Sequence, residues 1–170
     1  MRRALFGLLL LFGLSCGPGS DSPRLPMGVD IQGLTAADVG AIQFTVLTNG
    51  SSYLCGDLTA SCLRSKVVKP DGSFISDVVK LKDDSGQEHN ALRFKVADGT
   101  QLLTPSGQTF ELHMPEGTNL MVVVEVLSPD AKLMANGCGI VAQVSKGDNT
   151  PLVVVTNALP APPDCDPRID

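Results

Sequence analysis

Residues 120–127 read Leu-Met-Val-Val-Val-Glu-Val-Leu, a nearly continuous β-branched run. A strand of that composition is expected to be covered on both faces, because a half-buried strand would alternate apolar with polar residues. Its neighbours do alternate. Leu92-Arg93-Phe94-Lys95-Val96, Phe110-Glu111-Leu112-His113-Met114 and Ile42-Gln43-Phe44-Thr45-Val46 each place apolar side chains at every second position, and Val29-Asp30-Ile31-Gln32 is a shorter example. Residues 140–144 and 152–156 complete the main strands, with 67–68 and 78–81 as further short candidates. The hydrophobic period is two throughout, not 3.6.

Turn chemistry punctuates these runs. Asn49-Gly50, Asp71-Gly72, Ser85-Gly86, Asp98-Gly99, Ser106-Gly107, Asn136-Gly137 and Gly147-Asp148 each put a residue tolerant of positive φ where a chain could reverse. The one helix-like start is Thr35-Ala36-Ala37-Asp38-Val39, with Thr35 as N-cap and Asp38 three residues on, enough for a single turn. The expected fold is therefore all-β: a two-layer antiparallel β-sandwich of about seven to nine strands.

The last third carries a resemblance on the same point. Pro115-Glu116-Gly117-Thr118-Asn119 feeds the apolar strand; Asn136-Gly137-Cys138-Gly139 introduces the next; Lys146-Gly147-Asp148 turns into the last. This pattern resembles the closing strands of immunoglobulin-like or transthyretin-like sandwich modules of exported bacterial proteins. The resemblance implies a fold and leaves activity open, because such sandwiches host many functions.

The first residues give an address. Arg2 and Arg3 precede an apolar stretch at 4–14, and Gly13-Leu14-Ser15 offers small side chains before Cys16. This is the layout of a secretory signal, and eleven apolar residues are short for a membrane span. Gly13, Leu14, Ser15 and Cys16 resemble the lipobox of bacterial lipoproteins, whose cysteine is acylated and becomes the new N-terminus. Ser15 fits the small position; the family's leucine three residues before the cysteine is Gly13 here. The resemblance implies a lipid on Cys16, which also accounts for an odd fifth cysteine. Ordinary signal peptidase would cut the same bond and leave a secreted protein. The expected organisation is a signal peptide at 1–15, a flexible Gly/Pro/Ser tether at 16–26, the sandwich at 27–158 and a Pro-rich tail at 159–170.

Removing the leader leaves 11 basic against 18 acidic residues, dispersed rather than blocked. An acidic chain without a basic cluster is a poor partner for nucleic acid or anionic head groups. The expected membrane contact is through the lipid on Cys16, at a bacterial cell envelope (the outer membrane first), and an envelope protein is the expected partner.

Cys55, Cys62, Cys138 and Cys165 read as two disulfides in an exported chain. Three connectivities exist. The favoured one is Cys55–Cys62, closing a short polar loop, with Cys138–Cys165 pinning the tail; loop entropy puts these at about 2.5 and 3.6 kcal/mol. Neither pair has the spacing of a zinc half-site.

Catalytic chemistry is sparse. His89 lies in a polar loop and His113 on the wet face of a strand, and no serine sits in a Gly-x-Ser-x-Gly elbow. A triad assembled from separate strands would escape such a reading, so an anchored or secreted hydrolase stands as the alternative from another class. Asp83-Asp84-Ser85-Gly86-Gln87-Glu88 lacks the spacing of a calcium loop and reads as an acidic turn. The chain implies no cofactor and no metal. Phe44, Phe94 and Phe110 fall on apolar strand faces, which leaves Tyr53 and Phe74 as aromatic contacts for a carbohydrate-binding module, a second alternative. The leading expectation is a non-enzymatic protein with a structural or protein-interaction role; if it contacts a partner, Tyr53 and Asp57 of the loop at 51–65 are the expected contact residues.

Overall fold

The computed structural model describes residues 22–97, 99, 103 and 108–169. Among them are nine strands: β1 (Arg24–Gln32), β2 (Ala41–Leu47), β3 (Leu81–Lys82), β4 (Glu88–His89), β5 (Leu92–Lys95), β6 (Thr109–His113), β7 (Gly117–Leu127), β8 (Leu133–Val144) and β9 (Leu152–Ala158). Two short helices, α1 (Cys55–Thr59) and α2 (Arg64–Val67), interrupt the strand order. The protein is all-β, as the period of two predicts.

The strands follow one another in space as β4-β3-β6-β1-β9-β8-β7-β2-β5. The ladder nearly parts in the middle. β8 and β9 are paired only at Ala135↔Ala158 and Asn136↔Asn157, so β4-β3-β6-β1-β9 and β8-β7-β2-β5 form two layers joined at one corner. Three aromatic rings show that the layers face each other. Phe44 of β2 and Phe94 of β5 meet Phe110 of β6, with ring centroids 5.1 to 5.6 Å apart. Around them Leu25, Met27, Val29, Leu112, Val122, Val124 and Val154 form the main core.

One pairing departs from the antiparallel expectation. β1 runs parallel to β9, from Met27↔Leu152 to Gln32↔Asn157. The first and last strands are separated by most of the chain, so no hairpin dictates their relative direction. β1 also opens at Arg24, inside the segment read as tether. Leu25, Met27, Val29 and Ile31 alternate inward, while Pro26 and Gly28 at the intervening positions disguise the strand.

β7 is covered on both faces. Leu120, Val122, Val124 and Val126 enter the main core, while Met121 and Val123 lie with Leu47, Leu58, Leu63, Val67 and Ile169 in a second cluster. Every residue of β2 is buried as well. The cover on this outer face is the segment between β2 and β3, containing α1 and α2, together with the C-terminal tail. Val67 and Val68 were expected in a strand; Val67 instead ends α2, and Val68 makes only an isolated bridge to Phe74. Helices of five and four residues have no stability of their own. Leu58, Leu63 and Val67 seat them on the sheet, and a disulfide fixes the first.

The cysteine pairing corrects the sequence reading. The bridges are Cys55–Cys138 and Cys62–Cys165, with Cα atoms 5.9 and 6.3 Å apart. α1 stands between Cys55 and Cys62 and sends them to different neighbours. Cys55 meets Cys138 on the outer face of β8, whereas Cys62 meets the tail where it packs with Ala41, Leu127 and Leu133. The tail is pinned to the body, but by Cys62.

Asn136-Gly137 was expected to reverse the chain and instead lies within β8, opposite Glu125 and Val124. Gly137 answers a close approach: a Cβ there would collide with the carbonyl oxygen of Val155 on β9, at the corner joining the layers. Asn49, by contrast, does turn the chain in the left-handed region at φ 56°.

Candidate interaction surface

The outer faces of the two layers are treated differently. α1, α2 and the tail cover β7 and β2, and nothing among the described residues covers the same side of β9. Val153 and Val155 point outward there, 63% and 45% exposed, and Ile140 of β8 is 53% exposed. Gly28 of β1 pairs with Val153, and the absence of a side chain on Gly28 leaves one flank of that valine open. Beyond the corner, the end of β8, paired with β7 but not with β9, and the start of β9 border a cleft of about 430 Å³, lined by Ile140, Ala142, Asn149 and Leu152 among others.

Leu54, 71% exposed, is brought to this side of the molecule by its neighbour Cys55, which is bonded to Cys138 two residues before Ile140. Exposed single apolar side chains are ordinary; here Leu54 and Ile140 lie close in the chain to the two ends of one disulfide, and Val153 and Val155 alternate on one face of β9. The turn beyond β8 is rigid. Asn149 donates through Nδ2 to the carbonyl oxygens of Ser145 and Arg24, at 2.8 and 3.0 Å, and accepts from the Ser145 amide at 3.0 Å.

Tyr53 and Asp57 occupy different settings. The Tyr53 hydroxyl donates to the Asp77 carboxylate at 2.6 Å, and its ring packs on the second cluster with Phe74 and Ile75. Burial, then the hydrogen bond and charge of Asp77, push the Tyr53 hydroxyl up to about 12. Tyr53 is thus a half-buried strut of the loop, and Phe74 is likewise half-buried. They do not present a common exposed platform for a sugar ring. Asp57 is exposed on α1, three residues after Leu54, whose carbonyl accepts from the Asp57 amide at 3.0 Å. The loop is further fastened by Asn119, which accepts from the Ser51 amide and donates to the Ser51 hydroxyl, both at 2.9 Å.

His89 does meet a serine and a carboxylate, but in an order that makes no nucleophile. Its Nε2 lies 2.9 Å from Asp83 Oδ2, while the Ser85 hydroxyl donates to Asp83 Oδ1 at 2.6 Å. The carboxylate stands between the two partners. A serine is activated by direct contact with the imidazole, with the acid on the far side. The Ser85 and Gln87 amides also donate to Asp83, so this carboxylate holds the turn between β3 and β4; the Ser85 hydrogen bond first, then His89, draws it well below the usual range. His113 lies 3.9 Å from Glu111.

A buried polar cluster lies beneath the covered half. Glu125 of β7 and Gln43 of β2 are register partners on the outer face, and both are buried. Glu125 accepts from the Leu63 amide at 2.9 Å and from Gln43 Nε2 at 2.8 Å. The same Gln43 amide nitrogen donates to the Pro167 carbonyl at 2.8 Å, and Gln43 Oε1 accepts from the Ile169 amide and from Arg93 at 3.2 and 3.0 Å. Burial pushes the Glu125 carboxyl up to about 7 against the opposing pull of those hydrogen bonds and of Arg93. The signal for this cluster is a glutamate inside an otherwise apolar strand, which period counting passes over. Val153 and Val155 were equally illegible, since Leu-Val-Val-Val reads as a covered strand.

Cys16 lies outside the described residues. Among the described residues no helix is long and apolar enough to cross a membrane. No protein-family model matches the chain, and no curated protein matches it. Among solved structures, a pilus-presented adhesin, Cpa, is similar over 81% of this chain, with 11% identity and a TM-score of 0.28. The chain spans about a quarter of that structure's length, 27%.

Proposed function

We propose that this protein is a non-enzymatic domain of the bacterial cell envelope, held at the membrane by a lipid on Cys16, that acts by binding another protein. Two long-range disulfides suit an oxidising, extracytoplasmic compartment. The lipobox-like leader supports the anchor. The observation that carries the binding role is the apolar side chains left in solvent: Val153 and Val155 on the uncovered face of β9, Ile140 on β8 and Leu54 just before α1. An envelope protein with a complementary apolar surface would bury them, and Asp57 at the margin would contribute orientation more than affinity.

Two measurements test this reading. Cys16→Ala should move the protein from the membrane to the soluble fraction, and retention in the membrane would defeat the anchor. A photo-crosslinking residue at Leu54 should give a discrete adduct in the native envelope, and Val153→Lys should abolish it while leaving the fold intact. An adduct indifferent to Val153→Lys, or none, would defeat the surface.

A further inference from the structure

The C-terminal residues 159–169 form a strap, and among its fastenings two differ sharply in chemistry. One is covalent, Cys62–Cys165. The other lies beyond it, where Gln43 receives the strap's backbone through both ends of one side-chain amide, donating to the Pro167 carbonyl and accepting from the Ile169 amide. Ile169 is buried in the second apolar cluster. Because Cys165 is bonded, residues 166–169 can lift about that point while the rest of the strap stays seated.

We propose that Gln43 and Glu125 form a proton-sensitive latch for the end of this strap, closed when the Glu125 carboxyl carries its proton and loosened when it is lost. Glu125 lies directly under Gln43 and also receives the Leu63 amide, so the strap and the entry to α2 rest on one carboxyl group. Among the described residues, the groups facing it are few. β2 supplies Gln43, β5 supplies Arg93 through Gln43 Oε1, and Leu63, just before α2, supplies its amide. From β8, Asn136 is its register partner, but the Asn136 amide is turned to the Thr59 carbonyl at 2.8 Å. Arg168 on the strap and Arg64 on α2 are both directed to Asp166, at 2.8 and 3.6 Å.

A carboxylate placed there has two hydrogen bonds and one cation reached through an amide, in a site closed to water. Lifting residues 166–169 hydrates it, so deprotonation favours the lifted form. Burial holding the group near neutrality fits that direction. The two histidines, on β4 and β6, are in the other layer.

Hydrogen exchange of the disulfide-bonded protein tests the latch. Corrected for intrinsic chemistry, the Ile169 and Leu63 amides should open roughly ten- to a hundred-fold more often at about pH 8 than at about pH 5. Amides of β7 such as Val123 should not follow. Glu125→Gln should remove the difference. Should that variant fail to fold, the wild-type carboxyl titration decides: the Glu125 carboxyl carbon and the Ile169 amide should share one midpoint. Equal protection at both pH values, a change shared by Val123, or separate midpoints would overturn the proposal.

Discussion

Cys55, the first residue of α1, is bonded to Cys138 in β8, 83 residues away, although Cys62 lies only seven residues further along the chain. The bridge spans the outer face and holds a helix of five residues against a strand. The second bridge, Cys62–Cys165, does the same for the tail across 103 residues. Long loops of this kind remove more entropy from the unfolded chain than the short loop a Cys55–Cys62 bridge would close.

Unreduced peptide mapping should recover Cys55 with Cys138 and Cys62 with Cys165. Each closed loop is worth about 4.5 to 5 kcal/mol by chain entropy, an upper figure for loops of this length. Cys62→Ala combined with Cys165→Ala should therefore lower the denaturant midpoint by several kcal/mol equivalent. A peptide joining Cys55 to Cys62 would contradict the structure.

Stability should fall as pH rises from about 4.5 to about 7. The folded Glu125 carboxyl is raised to about 7 from 4.5, so the folded state holds the proton longer than the unfolded chain. Its contribution is complete below about pH 4.5 and lost as pH climbs through 7, up to about 3 kcal/mol in all. Asp166 acts in the opposite sense at lower pH. Arg168 holds it down to about 2, so its contribution is present above the ordinary carboxylate range and lost as pH falls through 2. Equilibrium unfolding of wild type and Glu125→Leu between pH 4 and 8, above the window in which Asp166 titrates, isolates Glu125, and the variant should lose that slope.

Thr45 of β2 carries a buried hydroxyl with no hydrogen-bond partner among the described residues. Removing that hydroxyl without changing shape relieves its desolvation cost. Thr45→Val should stabilise the protein by about 1 kcal/mol, read as a higher urea midpoint at unchanged slope.

Phe44 touches both Phe94 and Phe110 and is fully buried. It joins the two layers, so Phe44→Ala opens a cavity at their interface. The expected loss is about 3 to 5 kcal/mol in chemical denaturation. A loss below about 1 kcal/mol would mean the layers do not depend on the ring cluster.

Much of the fold was readable along the chain. Alternation in Leu92–Val96 and Phe110–Met114 reports which face of each strand avoids water, and this needs no partner to interpret; in Ile42–Val46 it misleads, because Gln43 and Thr45 are buried as deeply as their apolar neighbours. The same local logic made residues 120–127 a strand covered twice and Asn49-Gly50 a turn. Thr35 and Asp38 form their single turn, the Asp38 carboxylate accepting from the Thr35 amide at 2.8 Å and from its hydroxyl at 2.6 Å.

What covers β7 was not readable, because α1 and α2 are too short to show a helical period and hold their shape only through the sheet and Cys138. Disulfide choice, the parallel contact of β1 with β9, and the burial of Glu125 under the tail depend on which distant segments meet. The local period, most of the turns and most of the strand faces that seek a core follow from residues close together in the chain. The cysteine partners, the covered and open parts of the outer surface, and the fate of one carboxyl group come from the assembled fold, since each is set by contacts between residues far apart in the chain.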